Sequence, residues 1–524
     1  SGVTDGINTS TILLGDKQGI VISDANSLTV KGVKITSDGL IINAISNNAK
    51  ITLDNATLQG DVLNQGDLSV KNSTSVLKIT GTGKTDIDTT GKVIVSELTQ
   101  NELTNAGSLT VNNLQISTKA DNSGMIKNEG AVSGIQNLTN MGVISGSGNL
   151  DISGTSTNTG SISQSIIKVS GTLDNTQGTF TATDKIENTG SITTVADKII
   201  AKNGIVNENS LTLTGGTLAS QVSGAGITNI IGAVTNSARI LQDVNVGSGG
   251  NLTVGANIGN LVNNGEVTSS TTNLTGTINN SGTLNLSGTL NKEILGNGTT
   301  KIVGNSFTML DGAVVKGVLD INNQTLNVLA TNTTNMFNDV NINSGTLNLI
   351  NNGINNLSAN SFNMNGNVNL LLDADLKNSI MDRLPSTTVA NGLITVNGIN
   401  LLSDSKSEKV YIPFAYDSFK DKVQTNVTTV GKDVANSYQT TSFAPIYKYD
   451  VSYNPSNGYF LFSRGGGKSS ADFNPAVLSG AVNSQMGAYS AVNETFNYAF
   501  RHADYSFMPL PKKIRTLANK YAIT

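Results

Sequence analysis

A short phrase that recurs at multiples of six residues constrains the fold of this chain more than any other feature. Between residues 127 and 195 the phrase consists of Asn, one variable residue (two at its fourth occurrence), Gly, a small or variable residue and an aliphatic residue. Its glycines stand at positions 130, 142, 160, 178 and 190, in steps of 12, 18, 18 and 12. Its asparagines are Asn128, Asn140, Asn158, Asn175 and Asn188. A chain that turns about every six residues forms a coil with three faces, and a fixed period of this kind is typical of solenoids.

The chemistry of the phrase suits corners between short strands. Asn and Gly tolerate positive φ, so we expect them to turn the backbone there. The segments between the corners alternate polar and aliphatic residues, and we expect aliphatic residues such as Ile152 and Ile192 to point inward. Such strands bury little alone, but stacked coils share a core and a hydrogen-bond ladder. The sequence therefore predicts an all-β fold, a parallel β-helix (β-solenoid), right-handed like most parallel connections.

The rows of Asn and Thr that this stacking creates have two interpretations. Stacked Asn side chains can hydrogen-bond along the coil axis, which is the interpretation we favour. Alternatively, long polar faces can associate with a second copy of the chain.

Composition excludes several classes of function. The chain has no Cys, which excludes disulfides, Cys-ligated zinc and thiol catalysis. From Arg464 onward there are seven basic and three acidic residues, whereas the first 463 residues hold 26 basic and 34 acidic ones. An acidic shaft does not attract nucleic acid.

The sequence contains no run of about 18 apolar residues, so it predicts no transmembrane helix. The chain starts at Ser1 and shows no apolar signal segment, so we expect a mature or trimmed fragment.

The composition changes abruptly near residue 385. All seven prolines lie at or after Pro385, and all eleven tyrosines lie at or after Tyr411. Proline in a stacked strand removes a ladder hydrogen bond. We therefore predict a β-helical shaft over 1–385, a C-terminal β cap over 386–464, and a Gly-rich break with a short helical tail over 465–524.

Two local patterns mark the C-terminal part. Alternating residues on either side of the turn at 454–458 predict a β-hairpin. Further on, Asn474 is a good N-cap, Pro475 suits a first helical position, and apolar residues follow at helical spacing as far as Phe496. A second, basic helix is predicted from about residue 510 to 521.

Residues 445–524 resemble the junction between passenger and membrane barrel in the autotransporter (type V secretion) family. The resemblance rests on the stretches 447–461, 473–478 and 483–489. It implies a β-helical passenger that ends in a pertactin-like cap, the autochaperone region, and a linker helix that threads an outer-membrane barrel. That barrel would follow Thr524. The resemblance also implies a location on the bacterial cell surface or outside the cell, reached through the outer membrane.

A search for catalytic patterns finds none that is complete. The single histidine, His502, is better explained as an exposed polar residue, and one imidazole cannot build a His-rich metal site. The segment from Arg464 to Lys468 resembles a phosphate loop, but Phe462 stands where the first loop glycine is needed, so we favour a linker. We assign no catalytic, cofactor-binding or metal-binding residue and expect no cofactor.

Two pairs of carboxylates could act together. Asp86 with Asp88, and Asp373 with Asp375, are spaced two apart and would share one face of a strand. Such pairs can bind Ca²⁺, but two solvated carboxylates are the simpler interpretation. The Asn-x-Thr/Ser patterns at Asn8, Asn55 and Asn72 follow from composition and imply no glycan.

The function that the sequence favours is a surface-displayed or secreted, non-catalytic adhesin or self-association module. Its expected partners are a protein or glycan on a host or neighbouring cell, a second copy of itself, and the outer-membrane barrel of the same precursor. Nucleic acid is not an expected partner. The alternatives are a polysaccharide-active enzyme on the same scaffold and a structural surface-layer or filament subunit.

Overall fold

The computed structural model describes residues 10–14, 20–22, 27–37, 45–431, 434 and 445–464. The chain forms two compact units, 1–324 with 335–341, and 325–334 with 342–524. The predicted Gly-rich break, both predicted helices and His502 lie in 465–524, outside the described residues.

The first unit is a stack of parallel coils. Each coil near the centre has three short strands, such as Val143–Ser145, Leu150–Ser153 and Thr155–Asn158. Each strand pairs in parallel with its counterpart in the next coil, where Ile144 faces Ile162, Ile152 faces Val169 and Ser156 faces Leu173. The coils number about 18 along the chain. The predicted parallel β-solenoid is therefore confirmed, and its hand stays a prediction.

Short strands make up almost all regular structure of this unit. In chain order they are Ser10–Leu14, Ile20–Ile22, Ser27–Lys31, Val33–Ser37, Ile45–Asn47, Lys50–Asp54, Thr57–Leu58, Val62–Asn64, Asp67–Lys71, Ser73–Ser75, Lys78–Thr80, Lys84–Ile87, Lys92–Asn105, Ser108–Asn122, Met125–Asn128, Gly134–Gln136, Leu138–Asn140, Val143–Ser145, Leu150–Ser153, Thr155–Asn158, Ser161–Gln164, Ile167–Val169, Thr172–Asn175, Thr179–Ala182, Ile186–Asn188, Ser191–Thr194, Ile199–Ala201, Ile205–Asn207, Ser210–Leu213, Gly216–Leu218, Val222–Ser223, Ile227–Ile230, Ala233–Asn236, Asp243–Val246, Asn251–Val254, Leu261–Asn263, Glu266–Ser270, Ile278–Asn280, Thr283–Leu290, Glu293–Leu295, Thr299–Met309, Val314–Ile321 and Phe337–Ile342. Two 3-10 turns, Ala196–Lys198 and Thr271–Asn273, interrupt them.

The register explains the steps of 12 and 18 in the sequence. Asn140 pairs with Asn158 in the next coil, so a step of 18 is one full coil. Asn188 instead belongs to the column of Val169, on another strand of the coil. A step of 12 therefore moves the phrase by two of the three faces. Ile152 and Ile192 are buried as predicted, at 1% and 0% exposure.

The asparagines of the phrase are buried rather than exposed at corners. All five have a relative exposure of 0%. Along one column each Nδ2 donates to the Oδ1 of the next coil, with distances of 2.7 Å from Asn122 to Asn140 and from Asn140 to Asn158. We call this column the Asn ladder; it runs through Asn105, Asn122, Asn140, Asn158 and Asn175 and ends at the Thr194 hydroxyl. The favoured interpretation, hydrogen bonding along the coil axis, is confirmed.

The expectation that the phrase turns the chain through positive φ is wrong. None of its asparagines or glycines has positive φ. The glycines are required by close approach instead, because a Cβ at Gly160 would lie 2.0 Å from the carbonyl oxygen of Gly142 in the preceding coil. Positive φ occurs at other corners, including Asn55, Asn72 and Asn137.

The second unit also contains parallel coils. Thr346 pairs with Asn369, Asn369 with Thr395 and Thr395 with Gln424, so parallel pairing extends beyond the composition change at 385. Its strands are Thr325–Val328, Gly345–Asn348, Ser361–Asn365, Val368–Asp375, Ile380–Met381, Thr388–Asn391, Ile394–Ser403, Lys409–Pro413, Val423–Thr425, Thr429–Gly431, Lys448–Asn454 and Tyr459–Arg464, with a 3-10 turn at Lys420–Lys422.

An antiparallel sheet of four strands follows these coils. Its order is Lys409–Pro413, Tyr459–Arg464, Lys448–Asn454 and Thr429–Gly431. The middle two strands form the predicted hairpin, and Gly458 at its turn has a φ of +72°. One face of the sheet is a ring-rich core in which Phe414 and Phe460 pack edge to face at 5.4 Å. This sheet lies within the predicted cap, 386–464, but Ile394–Ser403 and Val423–Thr425 in the same range still pair in parallel with the coils.

Candidate functional site

A column of charges that alternate in sign runs up one side of the first unit. Its members are Lys50, Asp67, Lys84, Glu102 and Lys119. Each of these residues is the direct pairing partner of the next in the parallel ladder. We call this set the charged column.

Strand alternation places the column on the outside. The residue that follows each charge faces inward, as Ile51, Leu68 and Leu103 do, and is buried. Adjacent rungs of a sheet are about 4.8 Å apart, so every charge has a neighbour of opposite sign at that spacing. Opposite charges on neighbouring strands favour this register, and like charges would oppose it.

Several side chains of the charged column form no close ion pair within the protein. Lys119 forms one with Asp121 at 2.7 Å, and the hydrogen bond that its ammonium donates to this carboxylate raises the pKa of Lys119. Within the described part of the chain, Asp67, Lys84 and Glu102 make no ion pair within 4.0 Å. These side chains remain open to an external partner.

The pair Asp86 and Asp88 does not form a joint site. Asp86 is exposed on the strand Lys84–Ile87, whereas Asp88 lies in the turn that follows. The Asp88 carboxylate accepts hydrogen bonds from the Thr90 hydroxyl at 2.7 Å and from the Gly91 N–H at 2.9 Å. The bond from Thr90 is the main cause of a lowered pKa for Asp88. This carboxylate therefore serves its own turn.

The interpretation of Asp373 and Asp375 as two solvated carboxylates is wrong for Asp373. That side chain is completely buried, and its Oδ2 accepts the N–H groups of Asn351 and Asn352 at 2.8 and 2.9 Å. Asp375 is half-buried. Burial raises its pKa, but the hydrogen bonds donated by Ser403 and Asn378 lower the pKa by more than burial raises it, so the net shift is downward. The two carboxylates differ in environment and do not act as a pair.

A different carboxylate, Asp382, accompanies Asp373 in the interior of the second unit. Its oxygens accept the N–H groups of Asn355 and Asp373, both at 2.6 Å. Burial dominates over these hydrogen bonds and raises the pKa of Asp382 to about 8. Sequence reasoning missed this group because no local pattern joins Asp382 to Asp373. Only the fold brings them together.

Other predicted features have simple structural roles. The Arg464 guanidinium lies 4.1 Å from the centre of the Tyr447 ring and donates to the carbonyl of Ser405 at 2.8 Å. The rest of the phosphate-loop-like segment, and Asn8, lie outside the described residues. Over the part of the chain that the structure describes, no three His, Cys, Asp or Glu side chains group as metal ligands do. Among the same residues there is no helix with the length and apolar character needed to span a membrane.

Comparisons with known proteins give no relative. No family model, no curated protein and no solved structure matches this chain. The fold defines it as a β-solenoid with an antiparallel cap.

Proposed function

We propose that this chain is a surface-displayed or secreted non-catalytic adhesive module, of the kind that the autotransporter resemblance implies, and that it associates with a second copy of itself. The observation that carries the proposal is the charged column. A regular series of alternating charges on a rigid sheet is a surface for recognition, because its spacing is fixed by the backbone.

The column is complementary to itself when two copies run antiparallel. A twofold axis between the rungs of Lys84 and Glu102 sets Lys84 of one copy opposite Glu102 of the other. The same axis sets Asp67 opposite Lys119. Symmetry repeats both contacts, so four pairs of opposite charge form in one isologous interface.

The interface is expected to be weak for one pair of molecules. Five rungs of five-residue strands cover on the order of 400 Å² per copy, about half of a standard interface. Exposed ion pairs each contribute only about 0–1 kcal/mol and are screened by salt. Display of many copies on one surface would convert this weak contact into strong, salt-sensitive adhesion.

Bead clustering tests the proposal under multivalent conditions. Beads coated with the protein should cluster at low ionic strength and disperse at about 1 M salt, where the Debye length is about 3 Å. Lys84→Glu or Glu102→Lys should each abolish clustering, because each opposes like charges. Beads that carry the two single variants should cluster when mixed, since the facing charges are then opposite again.

A charge reversal elsewhere provides the control. Lys316, which pairs with Glu293 at 3.4 Å, is exposed and lies outside the column. Lys316→Glu should therefore leave clustering unchanged. Failure of the mixed beads to cluster, with both variants folded by circular dichroism, would refute the proposed pairing.

The alternatives are supported by no observation as specific. A polysaccharide-active enzyme would need several carboxylates that act together, whereas Asp373 is buried apart from Asp375 and Asp88 is engaged by its turn. A filament subunit would show ordered end-to-end assembly in electron micrographs. Turnover of a polysaccharide panel with added Ca²⁺, lost in Asp86→Asn, would overturn the non-catalytic part of the proposal.

A further inference from the structure

A cleft of about 420 Å³ opens on the first unit, and the strands Lys92–Asn105 and Ser108–Asn122 contribute to both this cleft and the charged column. Its lining comes from five successive coils, between the turn at Gly81 and Thr82 and the strand Leu150–Ser153. The volume is at the lower end of the range of small-molecule sites.

Gly134 has no side chain and leaves a notch in the outward lining of this cleft. Gln115, Gly134 and Asp151 are successive pairing partners, so they form one outward column. Gly134 has no side chain between the other two, which are two rungs or about 10 Å apart. The nearest atom to a Cβ built at Gly134 is the Oε1 of Gln115 at 2.9 Å, so the Gln115 amide reaches over Gly134. Neither a positive φ nor a backbone contact requires glycine at this position, unlike Gly160.

The second lining column supplies amide and hydroxyl groups. Ser117, Gln136 and Ser153 follow the first column by two residues and face outward with it. Ser117 donates to the Oδ1 of Asn101 at 2.8 Å, which leaves that amide group to donate elsewhere. Among the described residues, the side chains of Gln136 and Asp151 have no hydrogen-bond or ion-pair partner.

The lining disfavours anionic ligands. Asp151 is its only titratable side chain, and it contains no Lys, Arg or His that could pair with an anion. Ile116 and Ile135 lie between the two polar columns but face the core, at 3% and 1% exposure, so the accessible side chains of the lining are polar. A carboxylate together with amides that accept and donate matches a ring that carries neighbouring hydroxyl groups.

We infer that this cleft binds one ring of a neutral saccharide, with its hydroxyl groups on Asp151 and Gln136 and its ring over Gly134. No residue of the charged column lines the cleft, although Asn101 of the lining adjoins Glu102 in the sequence.

Titration of the full chain with fluorescent neutral hexose oligosaccharides, and with sialylated and sulfated counterparts, tests this inference. The neutral compounds should bind and the acidic ones should bind at least tenfold more weakly, because Asp151 repels them. Gly134→Val fills the notch and should abolish binding, while Asp151→Asn should weaken it at least tenfold. Asp86→Asn, an exposed carboxylate outside the cleft, should have no effect.

Unfolding curves of each variant separate loss of the site from loss of the fold. If Gly134→Val unfolds, Gln136→Ala takes its place in the test, because it changes only an exposed side chain. This variant should also weaken binding. Absence of binding by every neutral compound would overturn the inference. So would a preference for the acidic compounds, or equal binding by the wild type and Asp151→Asn.

Discussion

Replacement of Asn140 by Ala tests whether the Asn ladder stabilises the coils. Asn140 lies in the middle of the ladder, where its Oδ1 accepts from Asn122 and its Nδ2 donates to Asn158, both at 2.7 Å. The substitution removes both hydrogen bonds in a fully buried position. The Asn122 Nδ2 keeps only long contacts to carbonyls, at 3.3 and 3.4 Å. The Asn158 Oδ1 loses its donor.

The structure sets the magnitude of the effect and supplies an internal reference. Each buried polar group left without a partner costs about 1–3 kcal/mol, so Asn140→Ala should destabilise the protein by about 3–5 kcal/mol. Asn105 begins the ladder below Ile87, and its Oδ1 already has no partner. Asn105→Ala therefore breaks one ladder bond and should cost about half as much. Asn140→Thr keeps a hydroxyl, as Thr194 does at the far end, and should be intermediate.

Hydrogen exchange is the appropriate assay, because solenoids do not always unfold in a single step. Hydrogen exchange in the strands Leu138–Asn140 and Thr155–Asn158 should accelerate most in Asn140→Ala. The midpoint of urea unfolding should be lower for Asn105→Ala than for the wild type, and lowest for Asn140→Ala. A cost at Asn140 equal to or smaller than that at Asn105 would refute the account of the ladder as a chain of mutually dependent hydrogen bonds.

Three further substitutions probe packing and buried charge. Gly160→Ala should cost at least about 2 kcal/mol in thermal unfolding, because its Cβ would collide with a backbone carbonyl, whereas Gly249→Ala, where the nearest atom is 4.0 Å away, should not. Ile152→Asp should lower the melting temperature strongly, since the charge would be buried without a partner. The pKa of Asp382 is raised from 3.8 to about 8, so the folded state holds this proton more tightly and its contribution to stability is lost as pH rises between these values. Asp382→Asn should flatten that decline in unfolding curves measured from pH 4 to 8.

The period of the sequence was sufficient to predict the coils, but the role of each phrase residue was not. Asn and Gly are typical of turns, and a single copy of the phrase gives no reason to bury Asn140. Burial becomes favourable only because the next coil presents an identical amide at the correct spacing. The requirement for Gly160 likewise arises from the coil before it rather than from its own φ. Both properties belong to the stack and not to the local sequence.

The charged column was hidden for a related reason. Its members are separated by 17 or 18 residues, and their alternation is visible only once the pairing register is known. The notch at Gly134 has the same origin, since it exists only relative to Gln115 and Asp151 in neighbouring coils. The hairpin of the cap was predictable because its strands and turn are contiguous in sequence. Asp382 and Asp373 were not, because no periodicity relates them.

The stack therefore imposes different requirements on the inward and outward residues of the same strands. Inward positions must match the coil before and the coil after, which favours apolar residues and polar side chains that hydrogen-bond between coils. Outward positions carry no such restriction, so a series of alternating charges or a glycine notch can arise there without cost to the core. Because the rungs are about 4.8 Å apart on every face, any outward column presents its groups at a spacing that a second, antiparallel copy reproduces. The self-association that we propose for the charged column would use this shared spacing, and it would require no residue beyond those that already pair within the sheet.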